Sequence, residues 1–264
     1  MLIENTLFGV VDKVQVAINR LREYEPEEGY YLAYSGGKDS DTILELAQMS
    51  GVKFDAHYQL TTVDPPEVVQ HIKAHKEVQV HRPEKTMWQL IIENGMPPLR
   101  QMRYCCRVLK ERGGENRTVI TGIRQQESAK RSKRRLTEQW HKNGIHKTFV
   151  NPIIDWTSAE VWEFLHKYEV SYCELYDEGW TRLGCVCCPN GNQQKQAERW
   201  PKIADAYRRA CIRACEERTK KGLPIYGHWT NGEEMFNWWI SGAGKGHYRE
   251  GITYCDDDQS ILFE

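Results

Sequence analysis

Apolar positions in the first two thirds of the chain follow two different spacings, which predict strands that alternate with helices. Residues 30–34 form a short apolar run rich in aromatic residues, as is typical of a buried strand. From residue 39 to residue 49, apolar side chains recur as on a helix that packs against a sheet. The same patterns predict helices at 8–21 and 86–93, helices that begin at Pro65–Pro66 and at Thr157 or Ser158, and strands at 53–59, 77–81 and 118–121.

Strands that alternate with helices indicate an α/β fold with a doubly wound, mostly parallel sheet. From about Gln193 the pattern becomes continuously helical as far as Arg218, and a tail rich in glycine and tryptophan follows. We therefore predict one domain over residues 1–192 and a helical C-terminal region over residues 193–264.

The composition of the chain indicates which kinds of partner it can bind and in which compartment it is expected. The chain has 264 residues and a net charge of −1, so any charged partner must meet a local patch and not a global field. No apolar run approaches the roughly 18 residues of a membrane span, and the first residues lack the pattern of a signal peptide. Nine cysteines without a secretory signal favour reduced thiols with metal or redox chemistry. We expect a cytoplasmic protein.

Residues 35–40, with the sequence SGGKDS, join the first predicted strand to its helix and are called the phosphate loop below. Free backbone N–H groups and the helix dipole make such a turn a binding site for anions. Lys38 adds a positive charge, and Ser40 can cap the helix or bond a phosphate oxygen. The spacing differs from that of a Walker A loop. The candidate nucleotide-binding residues here are Ser35, Gly36, Gly37, Lys38, Asp39 and Ser40.

Two further segments follow predicted strands, at the sheet edge where open α/β folds bind ligands. Thr62 and Asp64 follow the strand at 53–59, and Asp64 is interpreted either as a helix cap or as a ligand to Mg²⁺ or ribose. Gly122 and Arg124 follow the strand at 118–121, so Arg124 is expected to project toward the phosphate loop. We add Thr62, Asp64 and Gly122 to the predicted nucleotide contacts. The candidate catalytic residues are Lys38, Asp39 and Arg124.

Four cysteines have the arrangement of a metal centre. Cys105 and Cys106 are adjacent near the start of a predicted helix, and Cys185 and Cys188 have C-x-x-C spacing. Four thiolates suffice for a [4Fe–4S] cluster or a structural zinc, and adjacent cysteines, which are unusual zinc ligands, favour the cluster. Four buried, inert thiols are the remaining interpretation. Arg103, Arg107 and Lys110 are expected to lower the pKa of the thiols; Cys187 is surplus, and Cys173, Cys211 and Cys215 are expected to be packing residues.

A basic stretch follows Arg124, where five of the six residues 130–135 are Lys or Arg. Such a run is either a solvated loop or a contact for anions or nucleic acid. The candidate anion-binding residues are Arg124, Arg131, Lys133, Arg134 and Arg135. His141 and His146 follow in a predicted loop, where we expect a surface role.

Five segments in this order resemble the adenylylsulfate/phosphoadenylylsulfate reductase family of N-type ATP pyrophosphatases. They are SGGKDS at 35–40, RYCCRVLK at 103–110, TGIRQQESAKR at 121–131, NPIIDWTSAEVW at 151–162 and YDEGWTRLGCVCCP at 176–189. The resemblance implies an adenine nucleotide alpha hydrolase-like fold and ATP with Mg²⁺ at the phosphate loop. It also implies that Arg124, followed by Arg131, contacts phosphate or sulfate oxygens.

The cysteine arrangement is similar to the [4Fe–4S] ligands of adenylylsulfate reductases, and also to the DNA-phosphorothioation ATP pyrophosphatases, which act with a cysteine desulfurase. One departure matters, because sulfite-forming members use a cysteine in a C-terminal Glu-Cys-Gly-(Ile/Leu)-His motif. Nothing here matches that motif, and the late Cys255 has an acidic flank that disfavours a thiolate.

We therefore expect an AMP- and pyrophosphate-forming ATP pyrophosphatase of sulfur transfer. It would activate a substrate oxygen, with a DNA phosphate as the preferred acceptor and the 130–135 stretch as the DNA contact. A cysteine desulfurase or another sulfur donor is the expected partner, and a homo-oligomer is compatible with the sequence. The alternatives are a reductase of adenylylsulfate or its 3′-phosphorylated form, with Cys255 or Cys187 as nucleophile, and a non-catalytic regulator that binds nucleotide and an iron–sulfur cluster.

Overall fold

The computed structural model describes residues 1–7, 9–142, 144–227 and 229–243, so the expectation for Cys255 lies outside the described residues. The described chain forms two compact units. The sheet unit comprises residues 1–59, 66–81 and 113–183, and the helical unit comprises residues 60–65 and 82–112 together with the chain from Gly184 onward.

The sheet unit is built on six strands in the order β5-β4-β3-β6-β8-β7. The strands are β3 (Tyr30–Tyr34), β4 (Phe54–Gln59), β5 (Val78–His81), β6 (Thr118–Ile120), β7 (Thr137–Lys142) and β8 (Ile145–Val150). Every neighbouring pair is parallel except β7 and β8. The predicted doubly wound, mostly parallel α/β fold is confirmed.

Strand order explains where a ligand can bind. From β3 the chain builds β4 and β5 on one side, and it then returns to place β6 on the other side of β3. The carboxyl ends of β3 and β6 therefore form the point at which the winding direction reverses, which is the usual ligand position in open α/β sheets. The phosphate loop follows β3, and Gly122 and Arg124 follow β6.

Helices of the sheet unit cover this sheet with apolar faces. Helix α1 (Lys13–Glu23) packs on α2 (Lys38–Ser50), and α2 packs on α6 (Ser158–Lys167). Helix α3 (Pro66–Ala74) begins at the predicted proline. Thr157 caps α6 by accepting a hydrogen bond from the Glu160 backbone N–H, which confirms the predicted helix start.

The helical unit contains the C-terminal helices predicted from the sequence. Helix α8 (Pro201–Lys220) packs on α4 (Met87–Asn94) and on α9 (Gly232–Ile240). Two shorter helices, α5 (Tyr104–Leu109) and α7 (Gln193–Arg199), complete the unit among the described residues. No helix within the described ranges is both long enough and apolar enough to cross a membrane.

Two predictions about secondary structure were wrong. The leading helix does not extend over residues 8–21, because β1 (Ile3–Thr6) and β2 (Gly9–Asp12) form an antiparallel hairpin and α1 begins only at Lys13. Asp12 ends the strand and caps the helix, since its carboxylate accepts hydrogen bonds from two N–H groups of the first turn. His141 and His146 are not in a loop but face each other across the β7–β8 hairpin.

Candidate functional sites

The phosphate loop has the conformation of an anion cradle. Gly36 has a φ of 70°, in the left-handed region that glycine adopts without strain. A Cβ at Gly36 would come within 2.9 Å of the Ile72 side chain in α3. Gly37 caps α2, and the Ser40 hydroxyl lies 3.1 Å from the Gly37 nitrogen and 2.7 Å from its carbonyl oxygen. The loop thus holds the first turn of α2, with its N–H groups, at the carboxyl end of β3.

Three charged residues form a network beside this loop. The Asp39 carboxylate lies between Lys38, whose Nζ is 3.0 Å from Oδ2, and Arg124, whose Nε donates to Oδ1 at 2.7 Å. The Arg124 side chain is only 2% exposed, and Asp39 neutralises part of its buried charge. Two weaker contacts also position the Arg124 guanidinium, to the carbonyl of Trp156 at 3.4 Å and to the Ser158 hydroxyl at 3.3 Å. The three predicted catalytic residues therefore lie together.

Two other residues fix the approach of neighbouring segments to the loop. A Cβ at Gly122 would lie 2.8 Å from the Asp39 carbonyl oxygen, so only glycine allows this close passage. The Tyr176 hydroxyl accepts a hydrogen bond from the Lys38 backbone N–H at 3.0 Å. Burial is the main cause that raises the pKa of Tyr176, which therefore remains a neutral phenol. The sequence alone assigned Tyr176 no role, although this residue begins YDEGWTRLGCVCCP, one of the five segments that carry the family resemblance.

This arrangement supplies what a nucleotide triphosphate requires. Two cations, Lys38 and Arg124, lie beside the helix N-terminus, where they can meet phosphate oxygens. Asp39 is a carboxylate within the same network, and carboxylates are the protein ligands that Mg²⁺ uses beside substrate phosphates. The donor set therefore fits MgATP.

Thr62 and Asp64 belong to the helical unit and have local structural contacts there. Thr62 has a φ of 66°, which is uncommon for a β-branched residue, and its hydroxyl accepts the Met87 backbone N–H at 3.0 Å. Asp64 accepts the backbone N–H of Thr61 at 2.7 Å. Their assignment as nucleotide contacts stays a prediction.

The four predicted ligand thiols come from two segments of the helical unit. Cys105 and Cys106 are in α5, and Cys185 and Cys188 lie in one turn, where the Cys188 N–H donates to the Cys185 carbonyl at 3.3 Å. A hydrogen bond with Cys106 and burial raise the pKa of Cys105, and the charges of Cys185 and Cys188 contribute in the same direction. The pKa of Cys105 thus responds to both cysteines of the second segment.

Lys110 supplies the positive charge of this cysteine site. Burial alone lowers its pKa, but negative charge on Cys185, Asp64, Cys106 and Cys188 raises it above the ordinary value. The predicted lowering of thiol pKa values is outweighed by desolvation, because burial raises the pKa of Cys185 to about 12 despite Lys110. The four thiols and Lys110 supply the donor set and the compensating charge of a four-thiolate centre, although within the described ranges no three of the four sulfurs lie within 4.8 Å of one another.

The other cysteines within the described ranges are buried. Cys187 lies between the ligand pair with a φ of 56°, and burial raises its pKa to about 12. The remaining three pack in the interiors of their own units, namely Cys173, Cys211 and Cys215. All four thiols are inert as nucleophiles in this conformation.

The cations of the basic stretch, residues 130–135, differ in whether they are ion-paired or exposed to solvent. Arg131 forms an ion pair with Glu127, and Arg134 forms one with Glu138 at 2.5 Å. Lys133 and Arg135 are exposed. The exposed cations are therefore those that a polyanion would meet first.

Comparison with known proteins identifies a family. The sequence model described as the phosphoadenosine phosphosulfate reductase domain matches residues 29–191. An uncharacterized protein of Methanocaldococcus jannaschii, MJ0066, is 28% identical over 75% of this chain and 45% of its own length. The adenosine 5'-phosphosulfate reductase of Allochromatium vinosum is 32% identical over 39% of this chain and 42% of its own length. The chain thus spans less than half the length of these two relatives.

Solved structures show weaker likeness. The phosphoadenylyl-sulfate reductase of Candida auris, in a phosphate complex, has a TM-score of 0.48 and 16% identity, covering 64% of this chain and 87% of that chain. The FMN adenylyltransferase of Candida glabrata has a TM-score of 0.47 and 17% identity, covering 66% and 60% of the two chains.

Proposed function

The chain belongs to the phosphoadenosine phosphosulfate reductase domain family, and from this premise we propose that it is an ATP pyrophosphatase of sulfur transfer. The observation that carries the proposal is the network of Lys38, Asp39 and Arg124 at the phosphate loop. A loop that only packed a helix onto a sheet would not need two cations and a carboxylate beside the helix N-terminus.

The proposed reaction breaks the bond between the α- and β-phosphates of ATP. Lys38 and the helix N-terminus would bind the β- and γ-phosphates, and Asp39 would hold Mg²⁺ beside them. Arg124 stabilises negative charge that develops on the phosphate oxygens. A substrate oxygen attacks the α-phosphorus, pyrophosphate leaves, and the adenylated oxygen becomes a leaving group. Sulfur from a donor then displaces AMP together with that oxygen.

The four thiols of the cysteine site are proposed to hold a [4Fe–4S] cluster, with zinc as the alternative occupant. Cys105, Cys106, Cys185 and Cys188 supply the ligands, and Lys110 offsets the negative charge of the bound group. A bound cluster would supply redox-active iron. A cysteine desulfurase is the proposed source of the sulfur, and a thiol reductant would reduce its persulfide sulfur by two electrons to sulfide, with formation of a disulfide.

We assign a DNA phosphate as the acceptor oxygen. Lys133 and Arg135 are exposed next to the ion-paired Arg131 and Arg134, in a chain whose net charge is only −1. A small sulfonucleotide would be served by Lys38 and Arg124, whereas an additional row of cations suits a polyanion.

The experiment measures pyrophosphate release from MgATP by anaerobic protein, with and without DNA and a sulfide donor. DNA-dependent release is the expected result, together with salt-sensitive binding of DNA. Converting Lys133 and Arg135 to Ser should flatten the slope of log K against log salt by up to about two units. The control converts the exposed Lys53 and Lys73, also to Ser, and should bind DNA like wild type. Absence of DNA binding at low salt would remove DNA as the acceptor.

A second candidate is an adenylylsulfate reductase, which the similarity to the Allochromatium vinosum enzyme favours. That reaction needs a thiol nucleophile, and burial with a pKa of about 12 makes Cys187 unsuitable in the described conformation. Release of sulfite from adenylylsulfate with thioredoxin would establish this candidate in place of the first.

A further inference from the structure

Three side chains with metal-ligating atoms meet in the sheet unit, in a group separate from the thiols. Asp41 lies in α2, His71 lies in α3, and His75 follows the end of α3. One carboxylate oxygen and one ring nitrogen from each histidine all lie within 4.8 Å of one another. Asp41 is 1% exposed, and the side chains of His71 and His75 are 9% and 15% exposed.

Two of these polar atoms are buried without a hydrogen-bond partner among the described residues. They are Oδ2 of Asp41 and Nε2 of His75. Buried polar atoms are almost always satisfied, because leaving one without a partner costs free energy. A cation bound by Asp41 and His75 would give each residue's unsatisfied atom a partner.

Neighbouring groups orient the ligands as they do around metal ions. The Tyr34 hydroxyl donates to Oδ1 of Asp41 at 2.5 Å, and Nε2 of His71 lies 3.1 Å from the same oxygen, which leaves Oδ2 without a partner in the described part of the chain. The Glu77 carboxylate lies 3.2 Å from Nδ1 of His75, which makes Nδ1 the protonated nitrogen and directs the lone pair of Nε2 away from Glu77. A carboxylate behind a ligating imidazole is a frequent feature of zinc sites.

We propose that Asp41, His71 and His75 bind one divalent transition-metal ion of the zinc type. Two imidazoles and a carboxylate are a common ligand set for such ions, with a further position open to water. Zinc bonds of about 2.0 Å place tetrahedral ligand atoms roughly 3.3 Å apart, so side-chain rotations would close the present spacing.

The site has a structural consequence for the phosphate loop. Asp41 is in the first turn of α2, directly after the loop, and the Ile72 side chain of α3 lies 2.9 Å from the position that a Cβ of Gly36 would take. A metal held by both helices would fix α3 against the loop. The inference does not depend on the reaction that the loop performs.

The test compares the zinc content of variants after equilibration with Zn²⁺ and gel filtration. His71→Gln and His75→Gln should each contain one zinc fewer per chain than wild type. The matched control is the double variant His141→Gln with His146→Gln, because these two rings also lie close together, with centroids 4.6 Å apart, on the β7–β8 hairpin. The control should keep the wild-type content. All these variants retain the cysteine site, so the difference reports the histidine site alone.

Further measurements test whether the His75→Gln variant keeps its fold and whether zinc binds at the proposed site. Circular dichroism should be unchanged in His75→Gln, whose side chain is partly exposed, and Zn²⁺ should raise the midpoint of thermal unfolding of wild type more than that of the variant. Glu77→Gln should weaken zinc binding about 10- to 100-fold. Equal zinc content in wild type, His71→Gln and His75→Gln would overturn the proposal and leave a buried hydrogen-bonded group.

Discussion

Glu160 is a buried residue whose ionised carboxylate is stabilised by several hydrogen-bond donors. Its side chain is 2% exposed, and it accepts hydrogen bonds from Lys13 at 2.7 Å and from the backbone and hydroxyl of Thr157. Burial acts to raise its pKa, but these donors lower it to about 2. The carboxylate thereby connects α1 to the capped start of α6.

This shift predicts acid sensitivity. Because the folded-state pKa lies below the ordinary 4.5, the stabilisation is complete above pH 4.5 and is lost as the pH falls toward 2. Glu160→Gln should lower the free energy of unfolding at pH 7 by up to about 3 kcal/mol and should flatten its pH dependence between pH 4.5 and 3. Urea unfolding at several pH values measures both effects.

The exposed Glu23 of α1 provides the control for this experiment. Glu23→Gln should unfold like wild type at each pH. If Glu160→Gln retained the full acid dependence of wild type, other carboxylates would have to account for it.

At the scale of elements, the sequence predicted the helices and strands that have a clear apolar pattern or a glycine turn. The apolar run at 30–34 and the glycine turn after it reproduced β3 and the start of α2, since burial and conformational freedom both act locally there. The β7–β8 hairpin was missed because its outer strand, TEQWHK, is mostly polar at the sheet edge. The contact between Asp39 and Arg124 joins residues 85 positions apart, and only the strand order brings them together.

The cysteine site likewise depends on two short elements that the sequence predicted separately. We expect anaerobically purified protein to be brown, with the broad visible absorption of an iron–sulfur cluster. Serine at Cys105, Cys106, Cys185 or Cys188 should abolish the colour. Alanine at Cys211 or Cys215 should not, because these thiols are buried in α8 and serve packing.

Iron and sulfide analysis of each variant makes the comparison quantitative. Colourless wild-type protein with stoichiometric zinc at the four thiols would contradict the cluster and leave the nucleotide chemistry of the sheet unit unaffected.

At the scale of the whole molecule, each compact unit carries its own chemistry. The sheet unit contains the phosphate loop with Asp39 and Arg124, and the helical unit contains the four thiols with Lys110. The motifs allowed both groups to be anticipated from the sequence. The group of Asp41, His71 and His75 was not anticipated, because His71 and His75 are close in sequence but Asp41 joins them only through the packing of α2 and α3.

The most direct measurement of the central claim identifies which bond of ATP is broken. Phosphorus NMR of MgATP incubated with wild-type protein, a sulfide donor and DNA should show AMP and pyrophosphate in equal amounts. Lys38→Ala should lose most of this turnover, since a charge-assisted contact contributes roughly 1.5–3 kcal/mol, whereas Lys53→Ala, an exposed lysine of the same unit, should not. Formation of ADP and phosphate, or equal turnover by Lys38→Ala and wild type, would contradict the account.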